Sequence, residues 1–151
     1  STEAEDLLGS IRARQGLTGE AIAHHREAIR LFPENAFAHN NLAVLLESRG
    51  DIAGALFHYG EAVRTYPRSA TARVNFANLL ARQGRSGEAE SQYRAALEVY
   101  PGFPEALLSY GRFLDGLGRR GDAVPLLERY AAGLPDAERE RFRRAAGLAG
   151  R

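Results

Sequence analysis

The stretch that decides the fold is residues 41–67, NLAVLLESRGDIAGALFHYGEAVRTYP, because residues 75–101, NFANLLARQGRSGEAESQYRAALEVYP, repeat its pattern 34 positions later. The same spacing continues toward both ends of the chain. Five columns of residues keep it: Pro33, Pro67, Pro101 and Pro135; Gly16, Gly50, Gly84 and Gly118; Ala21, Ala55, Ala89 and Ala123; Ala28, Ala62 and Ala96, with Tyr130 in the fourth copy; and Gly9, Ala43, Ala77 and Gly111. Five columns in phase indicate an internal repeat.

Each repeating unit predicts two helices. In the second copy, apolar residues at helical spacing over 36–49 indicate a first helix. Gly50 ends it, because glycine readily adopts the left-handed conformation that closes a helix. A second helix is predicted over about 52–65, with Tyr59 and Ala62 on one stripe. Proline then ends this helix, because the residue before a proline disfavours helical dihedral angles.

This pattern resembles the tetratricopeptide repeat (TPR) family over residues 2–135. The residues that carry the resemblance in copies two and three are Leu42-Ala43, Leu46, Gly50, Ala55, Tyr59, Ala62 and Pro67, then Phe76-Ala77, Leu80, Gly84, Ala89, Tyr93, Ala96 and Pro101. The resemblance implies an all-α fold, a right-handed superhelical solenoid of antiparallel helix pairs with a C-terminal capping helix. The expected repeats are 2–35, 36–69, 70–103 and 104–135, followed by the capping helix and tail over 136–151.

The two ends of the array depart from the pattern. In the first copy, Glu5 and Arg12 stand where large apolar residues are usual, and His25 stands in the aromatic column. These polar residues suit a solvated end helix, or one whose upstream neighbour is missing. After the last repeat, residues 136–147 predict one further helix, capped by Asp136. A solvated capping helix fits this segment, because the end units of solenoids need a polar outer face; the alternative is a basic docking tail.

The resemblance also implies that the first helices line a concave groove that fits an extended peptide or a partner helix. The predicted groove residues are Phe37, Asn40, Asn41, Val44, Val74, Asn75, Asn78, Arg82, Leu108 and Arg112. Asn41 and Asn75 share a register one repeat apart, and an Asn side chain offers both acceptor and donors to peptide groups. Alternatively, these asparagines bond to the adjacent helix. Aromatic and Arg anchors dominate many interfaces, which singles out Phe37, Arg82 and Arg112.

Two binding modes of the family can be compared with these residues. TPR domains that grip the C-terminal carboxylate of chaperones use two basic residues in the third copy, plus Lys and Asn in the first. The corresponding residues here are Thr71, Asn75, Asp6 and Ser10. Only Asn41 agrees with the clamp, and an acidic Asp6 would repel a carboxylate, so capture of a chaperone tail is not predicted. Asn41 and Asn75 instead resemble the asparagine ladder in the TPR arm of O-linked N-acetylglucosamine transferases, although Leu7 and Ser109 break it.

Composition and motifs exclude several other functions. The 20 basic and 19 acidic residues are spread along the chain, which argues against a nucleic-acid or membrane-surface binder. There is no Cys, and no apolar run approaches the roughly 20 residues of a membrane span. No phosphate loop, nucleophile elbow or zinc signature occurs, so we expect no enzyme and no cofactor. His24 and His58 share a register, but the spacing of packed helices, about 10 Å, is too long for one metal without a further ligand.

Three interpretations of the function stay open. The first is a protein-interaction scaffold that holds a protein or peptide in the groove. The second is the substrate-recruiting arm of a larger enzyme such as a glycosyltransferase, suggested by the absence of an initiator Met and by the polar first copy. The third is a module that forms homo-oligomers through the ends of the array. No signal peptide is present, which favours the cytoplasm, but the sequence determines neither the compartment nor the partner.

Overall fold

The computed structural model describes residues 1–148, which fold into nine α-helices with no strand in that range. The helices are α1 (Thr2–Arg14), α2 (Thr18–Leu31), α3 (Ala36–Ser48), α4 (Ile52–Thr65), α5 (Ala70–Arg82), α6 (Ser86–Val99), α7 (Pro104–Gly116), α8 (Arg120–Ala132) and α9 (Asp136–Ala145). The two helices predicted in the second copy correspond to α3 and α4, and their ends differ from the prediction by at most one residue.

Local side-chain chemistry fixes where several helices begin. The side chains of Asn35, Asp51 and Ser69 accept hydrogen bonds from the backbone N–H groups three residues later, at 3.0, 2.9 and 3.2 Å. Such caps satisfy donors that have no partner inside the helix. Inside each pair, a glycine with φ between 73° and 80° lies two residues after the end of the first helix, and this conformation would strain a residue with a Cβ atom. These turns therefore fix the length of each first helix.

The helices stack as antiparallel pairs. The most extensive contacts join α1 to α2, α3 to α4, α5 to α6 and α7 to α8, and each later first helix also packs on the second helix before it. The first helices α1 and α3, and likewise α5 and α7, also contact each other directly. The first helices therefore line one continuous face of the array, and the second helices form the opposite face.

Small residues at the helix crossings let the paired helices approach closely. Ala43, Ala77, Ala55 and Ala89, which belong to two of the repeat columns, are fully buried. The space beside them is filled by large side chains, above all Tyr59 and Tyr93 in the second and third pairs. The Tyr93 ring stacks on Tyr110 of the next pair with ring centroids 5.3 Å apart. The core therefore runs continuously from one pair to the next.

The helix α9 packs against α8. Phe142 packs edge-on against Tyr130 with ring centroids 5.0 Å apart, and Leu148 after the helix is fully buried. Asp136 does not cap this helix as predicted: Pro135 is the capping residue, and Asp136 is the first helical residue, paired with Arg139 at 3.2 Å. A proline before the helix supplies no side-chain acceptor, so Asp136 favours this helix start through its negative charge near the positive end of the helix dipole.

The predicted architecture is confirmed: the chain is all-α, a solenoid of antiparallel helix pairs that ends in a further helix. The division into repeats at 2–35, 36–69, 70–103 and 104–135 stays a prediction, as does the tail, whose residues 149–151 lie outside the described range. No helix within residues 1–148 combines the length and the hydropathy that crossing a bilayer requires.

Candidate binding groove

Three adjoining depressions follow the face formed by the first helices. The one between α1 and α3 has a volume of about 230 Å³, the one between α3 and α5 about 370 Å³, and the one between α5 and α7 about 470 Å³. Val44 borders the first two, and Asn78 and Arg82 border the last two. Because neighbouring depressions share lining residues, they form one channel, which we call the concave groove.

Six of the ten predicted site residues line the concave groove: Asn41, Val44, Asn75, Asn78, Arg82 and Arg112. Phe37 is 59% exposed, but it lies outside the three depressions, as do Asn40 and the half-buried Leu108. The groove is therefore centred on the middle and last turns of the first helices rather than on their first turns.

Two sequence-based expectations are wrong: that Val74 lines the groove, and that the Asp6 carboxylate faces a ligand there. Val74 is only 3% exposed and belongs to the core cluster around Tyr93, so it offers no surface to a ligand. Asp6 is also buried, because its carboxylate accepts hydrogen bonds from His25 and Asn35. Its carboxylate is thus hydrogen-bonded inside the fold and does not face the groove.

Asn75 is oriented by a neighbouring helix. Its Nδ2 group donates to Oδ1 of Asn40 at 3.1 Å, which connects α5 to α3. Asn40 in turn donates toward Oδ1 of Asn41 at 3.5 Å. The alternative interpretation, in which these asparagines bond to an adjacent helix, therefore holds for the Nδ2 group of Asn75. Within residues 1–148 its Oδ1 atom has no hydrogen-bond donor, so an acceptor is left facing the groove.

Asn78 is oriented in the opposite sense. The Tyr93 hydroxyl donates to Oδ1 of Asn78 at 2.6 Å, and among the described residues no acceptor bonds to its Nδ2 group. Burial raises the pKa of Tyr93 to about 12, so the phenol keeps the proton that it donates throughout the neutral range. Asn75 therefore presents an acceptor and Asn78 a donor, one turn apart on α5.

An ion pair across two helices forms the wall beside these asparagines. Glu47 of α3 pairs with Arg82 of α5, and it also accepts a hydrogen bond from the Tyr59 hydroxyl at 2.9 Å. Burial, and then the bond to Glu47, raise the pKa of Tyr59 above its usual range. The charged residues that line the groove are Arg14, Glu47, Arg82 and Arg112, so the groove carries net positive charge.

Sequence reasoning missed the part that Tyr59 and Tyr93 play in the groove. Their shared column predicts core residues, and both rings are indeed buried. Their hydroxyl groups nevertheless reach the groove and orient Glu47 and Asn78. A signal was available, because a buried tyrosine needs a partner for its polar tip, whereas phenylalanine would fill the same space without one.

The buried His25 borders the first depression, whereas His24, His39 and His58 lie outside the groove, and all four histidines bond within helix hairpins. His39 Nδ1 lies 2.8 Å from Nδ1 of His58, and its Nε2 donates to the carbonyl oxygen of Pro33 at 3.0 Å. His24 bonds to Glu5 at 2.7 Å. His24 and His58 thus each have a partner on the adjacent first helix rather than each other. No group of three His, Asp or Glu residues suited to a metal occurs in the described part of the chain.

The pair of His39 and His58 predicts a specific pH dependence of stability. Burial, followed by the charges of His39 and Arg26, lowers the pKa of His58 from 6.5 to about 4, while Glu61 and Asp51 oppose the shift. The folded state therefore takes up this proton less readily than the unfolded chain. The stability that His58 supports is present above pH 6.5 and is lost as the pH falls from 6.5 toward 4.

The variant His58→Gln removes this titration and keeps a polar side chain, as Gln92 does in the next repeat. Between about pH 7 and pH 4.5 we expect the free energy of unfolding to fall by about 1 kcal/mol more in the native chain than in the variant. This figure allows for solvent screening at a half-exposed ring. Urea unfolding at three pH values measures the difference. Equal losses in both chains would contradict the assignment.

Helix pairs stacked around a continuous groove define a helical repeat protein with an open binding face. A family model described as tetratricopeptide repeat matches residues 7–70 and again residues 74–138. The chain therefore belongs to the tetratricopeptide repeat family, which confirms the resemblance carried by the Gly, Ala and Pro columns.

Solved structures share this fold. PilW, a widely conserved type IV pilus biogenesis factor, is 25% identical with a TM-score of 0.80, and the match covers 99% of this chain and 72% of PilW. MamA is 21% identical with a TM-score of 0.78, covering 96% and 81%. YrrB, a TPR protein with an unusual peptide-binding site, is 24% identical with a TM-score of 0.77, covering 96% and 75%. A search of curated protein sequences gives no match.

Proposed function

We propose that this chain is a protein-interaction scaffold that binds an extended peptide of a partner protein in the concave groove. The observation that carries the proposal is the opposed orientation of Asn75 and Asn78, which leaves one acceptor and one donor on the floor of the groove. A peptide group also carries one donor and one acceptor. The two asparagines can therefore bond to the ligand backbone whatever its side chains are.

The spacing of the array fits an extended ligand. Packed helices lie about 8–10 Å apart, and an extended chain advances about 3.3 Å per residue. About three ligand residues would thus pass each first helix. Asn75 and Asn78 are separated by one helical turn on α5, so both can meet the same short segment of the ligand.

Charge in the groove favours ligands with acidic side chains. Arg82 is paired with Glu47, whereas Arg14 and Arg112 lie at the two ends of the groove and are both exposed. Arginine binds carboxylates through a planar array of donors. The peptide-binding site of YrrB, on a similar fold, supports the use of this architecture for peptides.

The test uses peptides selected on the native chain from a random library, with affinity measured by fluorescence anisotropy. In the double variant Asn75→Ala and Asn78→Ala we expect the affinity for these peptides to fall at least about tenfold, because two hydrogen bonds worth about 1 kcal/mol each are lost. Circular dichroism first establishes that the double variant is folded.

The matched control is Gln92→Ala, which removes an amide side chain from α6, a helix of the opposite face. It should leave peptide affinity unchanged. An equal loss in the control and the double variant, or no loss in either, would show that the ligand binds elsewhere.

A further inference from the structure

The outer side of α1 exposes an apolar stripe. Ala4, Leu8 and Ile11 follow one another at helical spacing, and all three are exposed, Leu8 by 39% and Ile11 by 38%. This stripe faces away from α2 and from the concave groove, whose lining on α1 consists of Ser10, Ala13 and Arg14. It is therefore a surface separate from the concave groove.

The equivalent stripe is covered in every later repeat. The residues in the registers of Ala4, Leu8 and Ile11 are Ala38, Leu42 and Leu45, then Ala72, Phe76 and Leu79, then Ala106, Tyr110 and Phe113. All of them are buried or half-buried, because the preceding second helix packs on them. Ile22 of α2, for example, shares a core cluster with Leu42. Among the described residues no helix covers the stripe on α1, which continues the interface that joins the repeats.

We propose that this stripe is a dimer interface, in which α1 of one copy packs antiparallel on α1 of a second copy. The contact is self-complementary around a two-fold axis near Leu8. An antiparallel pairing places Ala4 of each copy opposite Ile11 of the other, so that a small side chain faces a large one. The two Leu8 side chains then meet at the axis, as an isologous interface requires.

The charges of α1 match the same pairing. Its first turn carries Glu3 and Glu5, and its last turn carries Arg12 and Arg14. The antiparallel arrangement brings the acidic turn of one copy beside the basic turn of the other, and it also opposes the two helix dipoles favourably. A parallel arrangement would instead place like charges together. Glu3 and Arg14 are exposed, and Arg14, at the rim of the concave groove, also borders a depression with Ile11 of the stripe, whereas Glu5 and Arg12 already pair within the chain.

The size of the surface indicates a reversible dimer. One helix face per copy lies at the small end of specific interfaces, which bury about 1,200–2,000 Å² in total. The dimer should therefore dissociate on dilution. Sedimentation equilibrium at increasing concentration, from about 1 µM to about 500 µM, should show the mass rise from 16.5 kDa toward twice that value.

The double variant Leu8→Glu and Ile11→Glu tests the stripe. Both side chains are exposed in the isolated chain, so the fold should survive, and the mass should stay at 16.5 kDa at every concentration. The control is Phe57→Glu, which places the same charge on an exposed apolar residue of α4. It should dimerise like the native chain. A native chain that stays monomeric, or a control that loses the dimer equally, would overturn the proposal.

A charge exchange tests the antiparallel geometry separately. Glu3→Arg alone and Arg14→Glu alone should each weaken the dimer several-fold, because each places like charges at both ends of the contact. The combined variant should return to native affinity, because the exchanged pair attracts again. If the combined variant is weaker than either single variant, the antiparallel arrangement is wrong.

Discussion

Replacing Tyr93 with alanine is expected to lower the free energy of unfolding by about 4 kcal/mol. Tyr93 is nearly fully buried and lies in the core cluster that joins the third helix pair to the fourth. Its ring contacts Tyr110 and Phe113, with centroids 5.3 and 5.4 Å away. Removing the ring leaves a cavity at this junction. Because the repeats of a solenoid contact only their neighbours, the array should then unfold in two steps.

Urea unfolding followed by circular dichroism measures this loss. The matched variant is Tyr93→Phe, which keeps the ring and removes only the hydroxyl bonded to Asn78. Its free energy of unfolding should fall by about 1 kcal/mol, the net contribution of one hydrogen bond. The comparison separates packing from hydrogen bonding. A loss below about 2 kcal/mol in the alanine variant would mean that Tyr93 is not the junction between these pairs.

Replacing Asp6 with alanine is expected to lower the free energy of unfolding by about 3 kcal/mol. Asp6 lies in α1, the first helix of the array. Its two carboxylate oxygens accept hydrogen bonds from His25 at 3.1 Å and from Asn35 at 2.5 Å. Asn35 also caps α3 and donates to Thr2 at 2.9 Å. Asp6 thus ties together α1, α2 and the start of α3. Its removal leaves the buried His25 without its partner.

The control for this substitution is Glu140→Ala, which removes an exposed carboxylate from α9. It should change the stability by less than about 0.5 kcal/mol. Thermal unfolding of the two variants side by side gives the comparison. If Asp6→Ala is as stable as Glu140→Ala, the buried network does not hold the first repeat in place.

The fold was predictable because each repeat column has a local physical cause. Gly50 and its equivalents adopt a positive φ in the turn, and Ala43 and Ala55 are fully buried where the helices cross. These causes act within about 34 residues and recur in each copy, so the sequence alone indicates them. The cap of α9 was assigned to Asp136 instead of Pro135, because an acidic residue at a helix start fits both the capping position and the first helical position.

The groove was predictable only in part. Register places a residue on the correct face of a helix, which is why Asn41, Asn75 and Arg82 line the groove. Register does not determine how deeply a side chain is buried. Val74 is buried although its register suggested that it lines the groove.

The repeat pattern also did not predict the hydrogen bonds and ion pairs between repeats. The bond from Asn75 to Asn40 and the pair of Arg82 and Glu47 each join residues 35 positions apart. Because the columns describe a spacing of 34, such offset pairs depend on side-chain conformations that the pattern does not contain.

The most direct measurement is an NMR titration of the isotope-labelled chain with a library-selected peptide, following the side-chain amide signals of Asn75 and Asn78 together with the backbone amides. If the peptide binds as proposed, both side-chain signals should shift, and the backbone shifts should concentrate on α3, α5 and α7. Shifts confined to α2, α4, α6 and α8, with unchanged Asn75 and Asn78 signals, would contradict binding in the concave groove.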